Sequence, residues 1–232
     1  MLSLSPEQMF GFDEATMVAF IDDDNKQLLL DAETLTAFSR MKQAAAADGI
    51  QLNICSGFRH FEHQCRIWNS KAVGRRKVLD ADAKTVDINT LSPAQLLQTM
   101  LIWSAIPGMS RHHWGTDLDL FDASALQREQ LRLVNNEYIA GGPCHKMFCW
   151  LETHAHRFGF YRPFQKGISG TSEELWHYSY YPRAQLFLTQ YSTESLQQLI
   201  ANQDVQLKTL ILAQLNELVQ RFVRTVALPP VQ

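Results

Sequence analysis

Apolar residues recur along this chain with a helical period in some stretches and alternate with polar residues in others, and the two periods divide it into elements. Over 31–49, Leu35, Phe38 and Met41 share one helical face, Asp31 sits at the N-cap and Gly49 follows the end, so a helix is predicted. A short strand is predicted over 50–57. It leads into a turn and then a helix within 58–74, with Phe61, Cys65 and Trp68 on one side. Ser92 and Pro93 fit the N-cap and first position of a helix reaching about Ala105, before Pro107 and Gly108 break the chain. In 116–121 the period is two: Leu118 and Leu120 face one way, Asp117 and Asp119 the other. A further helix is predicted over 144–158 with Gly159 ending it. The stretch 174–181 alternates again, with Trp176, Tyr178 and Tyr180 opposite Leu175, His177 and Ser179. From Thr193 to about Val223 a Leu/Gln-rich stretch predicts one or two helices, packed on the body as scaffold or as a dimer contact.

Composition narrows the class. With 232 residues, 46% hydrophobic, the chain can bury a substantial core. The net charge of -3, with Arg75, Arg76 and Lys77 as the only basic run, gives no stripe suited to phosphates, so nucleic acid is not expected as a partner. No apolar run approaches the roughly 18 residues that span a bilayer. The N-terminus has no cationic region and no apolar run with a cleavage site, so a cytoplasmic location is expected, and a periplasmic one only if a signal was removed. Cys55, Cys65, Cys144 and Cys149 lack the Cys-x2-Cys spacing of structural zinc sites and are expected as buried thiols in a reducing compartment.

A strand carrying two carboxylates on one face needs a partner for them. His112 just before that strand, Asp119 within it and His177 on another strand could converge as three ligands of a catalytic zinc if the strands are neighbours. Plainer roles stand beside this one: His112 or His113 capping a loop, Asp119 pairing with an arginine, His177 as a half-buried strand residue.

Three elements in order, S-G-F-R (Ser56, Gly57, Phe58, Arg59), S-x-H-x-x-G-x-x-x-D (Ser110, His112, Gly115, Asp119) and E-x-W-H (Glu174, Trp176, His177), resemble the VanY/VanX-type zinc D-alanyl-D-alanine carboxypeptidases and their L,D-carboxypeptidase relatives. The resemblance spans about residues 30 to 182. It implies one zinc per chain held by His112, Asp119 and His177, with Glu174 as general base on an activated water and Arg59 anchoring the substrate's terminal carboxylate. Its departures are Asp117, where the family often has a small residue, and Leu175, where it often has proline.

Elementary chemistry agrees. Zinc lowers the pKa of a bound water from near 15.7 to about 7, but a side chain must still carry the proton to the leaving amine. Glu174 can do so, and the E-x-W-H register favours it over Glu173, expected as solvated. A guanidinium pairs bidentately with a carboxylate, which suits Arg59 to a free C-terminus. Ser110, Gln64 and Ser56 are candidate substrate contacts, with local turn or helix roles as the alternative for Ser110 and Gln64. Gly115 keeps the backbone open near the metal, and His113 and Trp114 are expected as pocket wall. The remaining histidines, His60, His63, His145, His154 and His156, default to surface or helix positions. Asp117 either orients a ligand histidine or is simply solvated.

The expectation is one α+β domain: a small antiparallel sheet flanked by helices, with the zinc site in an open cleft. Residues 1–30 form an extension packed on the core, 31–182 the catalytic core and 183–232 a helical tail of the same domain. The expected reaction is hydrolysis of the C-terminal D-alanine of a peptidoglycan stem peptide or soluble muropeptide. Alternatives are L,D-cleavage of a tetrapeptide, a silent cell-wall peptide-binding domain, and a two-metal phosphoesterase, which would need more carboxylates. Neither D,D against L,D specificity nor oligomeric state follows from the sequence.

Overall fold

Asp31 caps the second helix by accepting from the backbone N–H groups of Glu33 and Thr34, as its position predicts. The structure, a computed structural model, describes residues 3–230. A one-turn helix α1 (Pro6–Met9) precedes an antiparallel hairpin, β1 (Met17–Ile21) and β2 (Gln27–Asp31), which runs straight into helix α2 (Ala32–Ala47). Strand β3 (Leu52–Ser56), helix α3 (Phe61–Ala72), a two-residue ladder of β4 (Val78–Leu79) with β5 (Thr85–Val86), and helix α4 (Pro93–Met100) follow. The remainder comprises β6 (Asp117–Asp122), α5 (His145–His154), β7 (Phe160–Tyr161), β8 (His177–Tyr180), α6 (Tyr181–Gln190), α7 (Thr193–Asn202), α8 (Lys208–Ala213) and α9 (Leu215–Val219). Among the described residues no helix is long and apolar enough to cross a membrane.

The central sheet has the order β3-β6-β8-β7 with every pair antiparallel, so the fold is α+β as expected. One face buries Ile54, Leu118, Leu120 and Tyr178 against Phe38 and Met41 of α2 and Met147 and Leu151 of α5. Each such side chain taken from water contributes roughly 1.5–3 kcal/mol. A second apolar cluster joins both ends of the chain to the middle. Met9 and Phe10 meet Phe61 and Trp68 of α3, Leu97 and Met100 of α4, and Phe187, Leu196, Leu218 and Val223 of the tail.

Several predicted boundaries move, for tertiary reasons. Helix α4 stops at Met100 rather than near Ala105, because the next residues serve other partners: Trp103 Nε1 donates to the Asp80 carbonyl (2.8 Å) and the Ala105 carbonyl accepts from Gln64 Nε2 (2.7 Å). Strand β8 begins at His177 rather than Glu174, and Leu175 and Trp176, expected on opposite faces, are both buried in the sheet-side cluster. The tail is broken further than one or two helices. A helix already covers Tyr181–Gln190, and after α7 the chain bends at Leu207, in left-handed backbone (φ 63°), before α8, α9 and a π-helical turn at Gln220–Arg224. All four cysteines are free as expected, but only Cys144 is buried; Cys55 and Cys65 are half-buried and Cys149 is exposed on α5.

Candidate functional site

The register of the sheet builds the site. Ser56 of β3 pairs with Asp119 of β6, and Asp119 pairs with His177 of β8, so three polar residues stand in one row across three strands. A shift in register between Ile54 and Ser56 accompanies the exit of β3 toward Arg59. His112 reaches the same row from a 3-10 turn at Arg111–Trp114, a stretch that periodicity alone leaves as loop.

That turn sends four consecutive side chains in four directions. Arg111 Nε donates to Asp117 Oδ1 (2.7 Å). His112 Nδ1 donates to the Gly57 carbonyl (3.0 Å), which turns Nε2 toward Asp119 Oδ2 at 3.3 Å. His113 and Trp114, expected as pocket wall, do not line the cleft. His113 is buried: Nδ1 donates to the Arg59 carbonyl (2.6 Å) and Nε2 accepts from the Gly108 N–H (3.1 Å), and burial holds its pKa down to about 3. It braces the backbone that carries Arg59. Trp114 stacks on Phe187 with ring centroids 5.5 Å apart. Gly115, at φ 67°, ends the turn in left-handed backbone, and a Cβ there would meet Met17 Sδ at 2.4 Å and the Asp31 nitrogen at 2.9 Å. Its smallness admits the β1–β2 hairpin rather than opening space near the ligands.

His177 presents Nδ1 to Asp119 Oδ1 at 3.2 Å, while Nε2 donates to Asp117 Oδ1 at 2.9 Å. Of the two roles open to Asp117, solvation is ruled out: it is fully buried, and it also accepts from Thr116 Oγ1 (2.7 Å) and Ser179 Oγ (3.1 Å). Despite burial, Arg111 and His177 hold its carboxyl below the usual range. Burial works to lower the imidazole pKa of His177, yet the hydrogen bond to Asp117 and the nearby Asp119 carboxylate outweigh it and raise the value to about 9.

The donor set suits zinc. One oxygen or nitrogen from each of His112, Asp119 and His177 lies within 4.8 Å of the others, all three residues being buried. Asp119 Oδ1, buried, makes no hydrogen bond even to the nearby His177 ring, so it is an acceptor left over. Two ligands about 2.0–2.1 Å from one tetrahedral zinc stand about 3.3 Å apart, and His112 Nε2 and His177 Nδ1 each lie at such a spacing from Asp119, the first from Oδ2 (3.3 Å) and the second from Oδ1 (3.2 Å). Each histidine has its other ring nitrogen committed to a carbonyl or carboxylate, which orients the free lone pair.

Glu174 Oε2 stands 3.4 Å from His177 Nδ1, and burial pushes the Glu174 pKa up to about 7. Glu173 instead faces Arg162 at 3.5 Å and does not line the cleft. Asn135 fixes this segment: its Nδ2 donates to the Glu173 carbonyl (3.1 Å) and its Oδ1 accepts from the Leu175 N–H (3.3 Å). Its partners lie 38 and 40 residues further along the chain, and no local pattern announces Asn135.

Arg59 lies across the row. Nη1 donates to Gln64 Oε1 (2.9 Å), Nη2 to Ser56 Oγ (2.9 Å), and Nη2 is 3.9 Å from Asp119 Oδ2. Both ends of the Gln64 amide are therefore taken, by Arg59 and by the Ala105 carbonyl, and Ser56 likewise holds Arg59. The Ser110 hydroxyl, by contrast, has no partner among the described residues and lines the cleft. The cleft, of about 440 Å³, is walled by Met109, Phe164, Trp103, Trp176 and, from the tail, Phe222. The tail also clasps the loop bearing Phe164: Gly170 N–H donates to the Thr225 carbonyl (3.0 Å) and Ala227 N–H to the Pro163 carbonyl (2.9 Å).

Known proteins are similar to this chain in sequence and fold. A D-alanyl-D-alanine carboxypeptidase of Enterococcus faecalis is 31% identical over 140 residues, which cover 59% of this chain and 42% of that protein. An uncharacterized protein of Haemophilus influenzae is 37% identical over 105 residues, 45% of this chain and 72% of its own length. Among solved structures, a variant of the VanY D,D-pentapeptidase from a VanB-type resistance cassette, in complex with Zn(II), aligns with a TM-score of 0.50 at 22% identity, covering 73% of this chain and 83% of that one. The LdcB LD-carboxypeptidase aligns with a TM-score of 0.53 at 18% identity, covering 84% and 76%. At these identities the structural likeness establishes the shared fold. The family model for VanY, D-alanyl-D-alanine carboxypeptidase, matches residues 27–183, a span that contains the whole row from Ser56 to His177. The chain belongs to the VanY D-alanyl-D-alanine carboxypeptidase family.

Proposed function

We propose that this protein is a zinc-dependent carboxypeptidase that removes the C-terminal D-alanine from peptidoglycan-derived peptides, with the D-Ala-D-Ala bond as its target. The observation that carries this reading is the approach of the Arg59 guanidinium to within 3.9 Å of Asp119 in the candidate metal cluster. A carboxylate anchor so near the cluster sets the cleaved bond about one residue from a free C-terminus.

Held by His112, Asp119 and His177, one zinc per chain would polarise the peptide carbonyl and acidify a water. Glu174, which lines the cleft 3.4 Å from His177, takes the water's proton at its carboxylate and returns it to the leaving amine nitrogen. A pKa near neutrality suits both halves of that transfer. Arg59 spends one N–H on Gln64 and one on Ser56, and its remaining donors pair with the two oxygens of the terminal carboxylate. Gln64 and Ser56 thus act by aiming Arg59, and the Ser110 hydroxyl is the free hydrogen-bonding group for the substrate. Asp117 fixes the ring of His177.

Incubation with muropeptides of defined stem length, read by mass spectrometry, tests the reading. Loss of one alanine from a pentapeptide stem, abolished by a chelator and restored by zinc, is the expected result. Trimming of a tetrapeptide stem alone would transfer the reading to L,D-cleavage, and no trimming of either would leave a binding domain.

A further inference from the structure

The cleft is more basic than the proposed reaction requires. Five basic side chains line it, Arg59, Lys71, Arg76, Arg111 and Arg132, against two carboxylates, Asp119 and Glu174. Arg111 is neutralised by Asp117 and Arg59 is reserved for the substrate's C-terminus. From Arg132, Glu137 accepts only the backbone N–H (3.0 Å), so three cations, Arg132, Lys71 and Arg76, have no carboxylate partner among the described residues, and of these Lys71 and Arg76 are neighbours, the Arg76 backbone N–H donating to the Ser70 carbonyl beside Lys71 (3.0 Å). Lys71, on the last turn of α3, is half-buried, and its ammonium donates to the neutral Ser104 hydroxyl. No carboxylate pairs with the side chain of either residue among the described residues. Burial holds the Lys71 ammonium below the usual lysine range, Arg76 and Arg59 add repulsion, and Glu174 is the carboxylate that opposes them. Arg76 belongs to the sole basic run in the sequence, Arg75 to Lys77, and it is the member of that run that turns to the cleft. Cations gathered in a partly dry cleft without counter-ions are an arrangement that a bound anion relieves.

We infer that Lys71 and Arg76 form a second anion subsite in the cleft, which selects peptides carrying a free carboxylate besides the C-terminal one. This rests on the carboxypeptidase reading and narrows its substrate class to acidic peptides. Ser104 holds the Lys71 ammonium in place in advance, so little side-chain freedom remains to be lost when the carboxylate arrives.

The test uses two stem peptides, identical and free at the C-terminus, one with its internal glutamate carboxylate free and the other with that group as the amide. Release of D-alanine gives kcat/KM for each. The wild-type protein is expected to favour the acid by about 10-fold or more, and Lys71→Met and Arg76→Gln each to shrink that ratio toward one, as expected for loss of one partner of a charge pair. Lys71→Arg, which keeps the charge, should retain most of the preference. Arg76 is exposed, so its variant carries the test if Lys71→Met does not fold. Equal wild-type rates on the two peptides, with D-alanine released from both, would overturn the subsite while leaving the carboxypeptidase intact. A wild-type preference that survives in both charge-removing variants would overturn it as well. If neither peptide is shortened, the carboxypeptidase reading fails and the subsite falls with it.

Discussion

Replacing Asp117 by alanine separates what holds the sheet together from what aims the candidate metal ligand. The carboxylate is fully buried and receives four donors, Arg111 Nε, Thr116 Oγ1, Ser179 Oγ and His177 Nε2, at 2.7 to 3.1 Å. Its loss strands the guanidinium of Arg111, itself 2% exposed, in the interior. Removing one member of a buried ion pair costs about 3–5 kcal/mol, because the remaining charge keeps its desolvation penalty. In a chain of this size each kcal/mol moves the melting temperature by about 2–4 °C, so Asp117→Ala should melt roughly 6–20 °C below wild type. Arg111→Met combined with Asp117→Ala removes both charges and should recover most of that loss, giving a coupling of about 2 kcal/mol or more between the two positions. The double variant still has no acceptor for His177 Nε2. Losing such an oriented acceptor typically weakens metal affinity about 10- to 100-fold, so the double variant should regain stability without regaining affinity. Thermal unfolding followed by circular dichroism with a chelator present reads the first quantity, free of the stabilisation that a bound metal adds. Competition with a chromophoric zinc chelator reads the second. A loss under 1 kcal/mol in Asp117→Ala, or wild-type zinc affinity in the double variant, would refute the reasoning.

Three further outcomes follow from the site. His177→Ala should abolish stoichiometric zinc in the purified protein by metal analysis, and one tightly held zinc in that variant would remove His177 from the ligand set. Glu174→Gln should keep zinc while turnover falls at least about 10²–10⁴-fold, the usual contribution of a general acid and base, whereas Glu173→Gln, whose side chain faces Arg162, should leave the rate near wild type. Amidating the substrate's C-terminus should cost about 2–5 kcal/mol in kcat/KM with wild type and little in Arg59→Ala, since the lost pair is then absent from both sides of the comparison; equal wild-type rates on acid and amide would favour an endopeptidase.

What the sequence made legible follows short-range rules. The cap at Asp31, the two-residue alternation of Leu118 and Leu120 against Asp117 and Asp119, and the stop at Gly159 are each decided within one or two turns of chain, and the structure has all three. The approach of His112, Asp119 and His177 depended instead on whether strands 58 residues apart are neighbours, and the family motifs, not the periodicity, supplied that link. The hairpin β1–β2 escaped because its strands are five residues long and β1 is half-exposed, so it carries no alternation to read. Asn135 and the tail contacts of Thr225 and Ala227 were invisible for a different reason: their partners lie 38 to 64 residues away, and only the finished fold brings them together.

Asp117 shows how a departure from a family pattern can be read physically. A carboxylate at this place on the sheet has a cost the usual small residue does not, since burial penalises its charge before any contact is made. The structure offsets that cost with a second buried charge, Arg111, from the same 3-10 turn that carries His112. One charge at either position is unfavourable without the other, so the pair behaves as one substitution spread over two residues. Its return is the hydrogen bond to His177, which spends one ring nitrogen and leaves Nδ1 as the nitrogen facing Asp119 and Glu174. A carboxylate that was a question in the sequence is therefore tied to the candidate ligand by a contact of 2.9 Å, and the stability and zinc affinity of the Arg111 and Asp117 variants should move independently because they depend on different bonds of the same side chain.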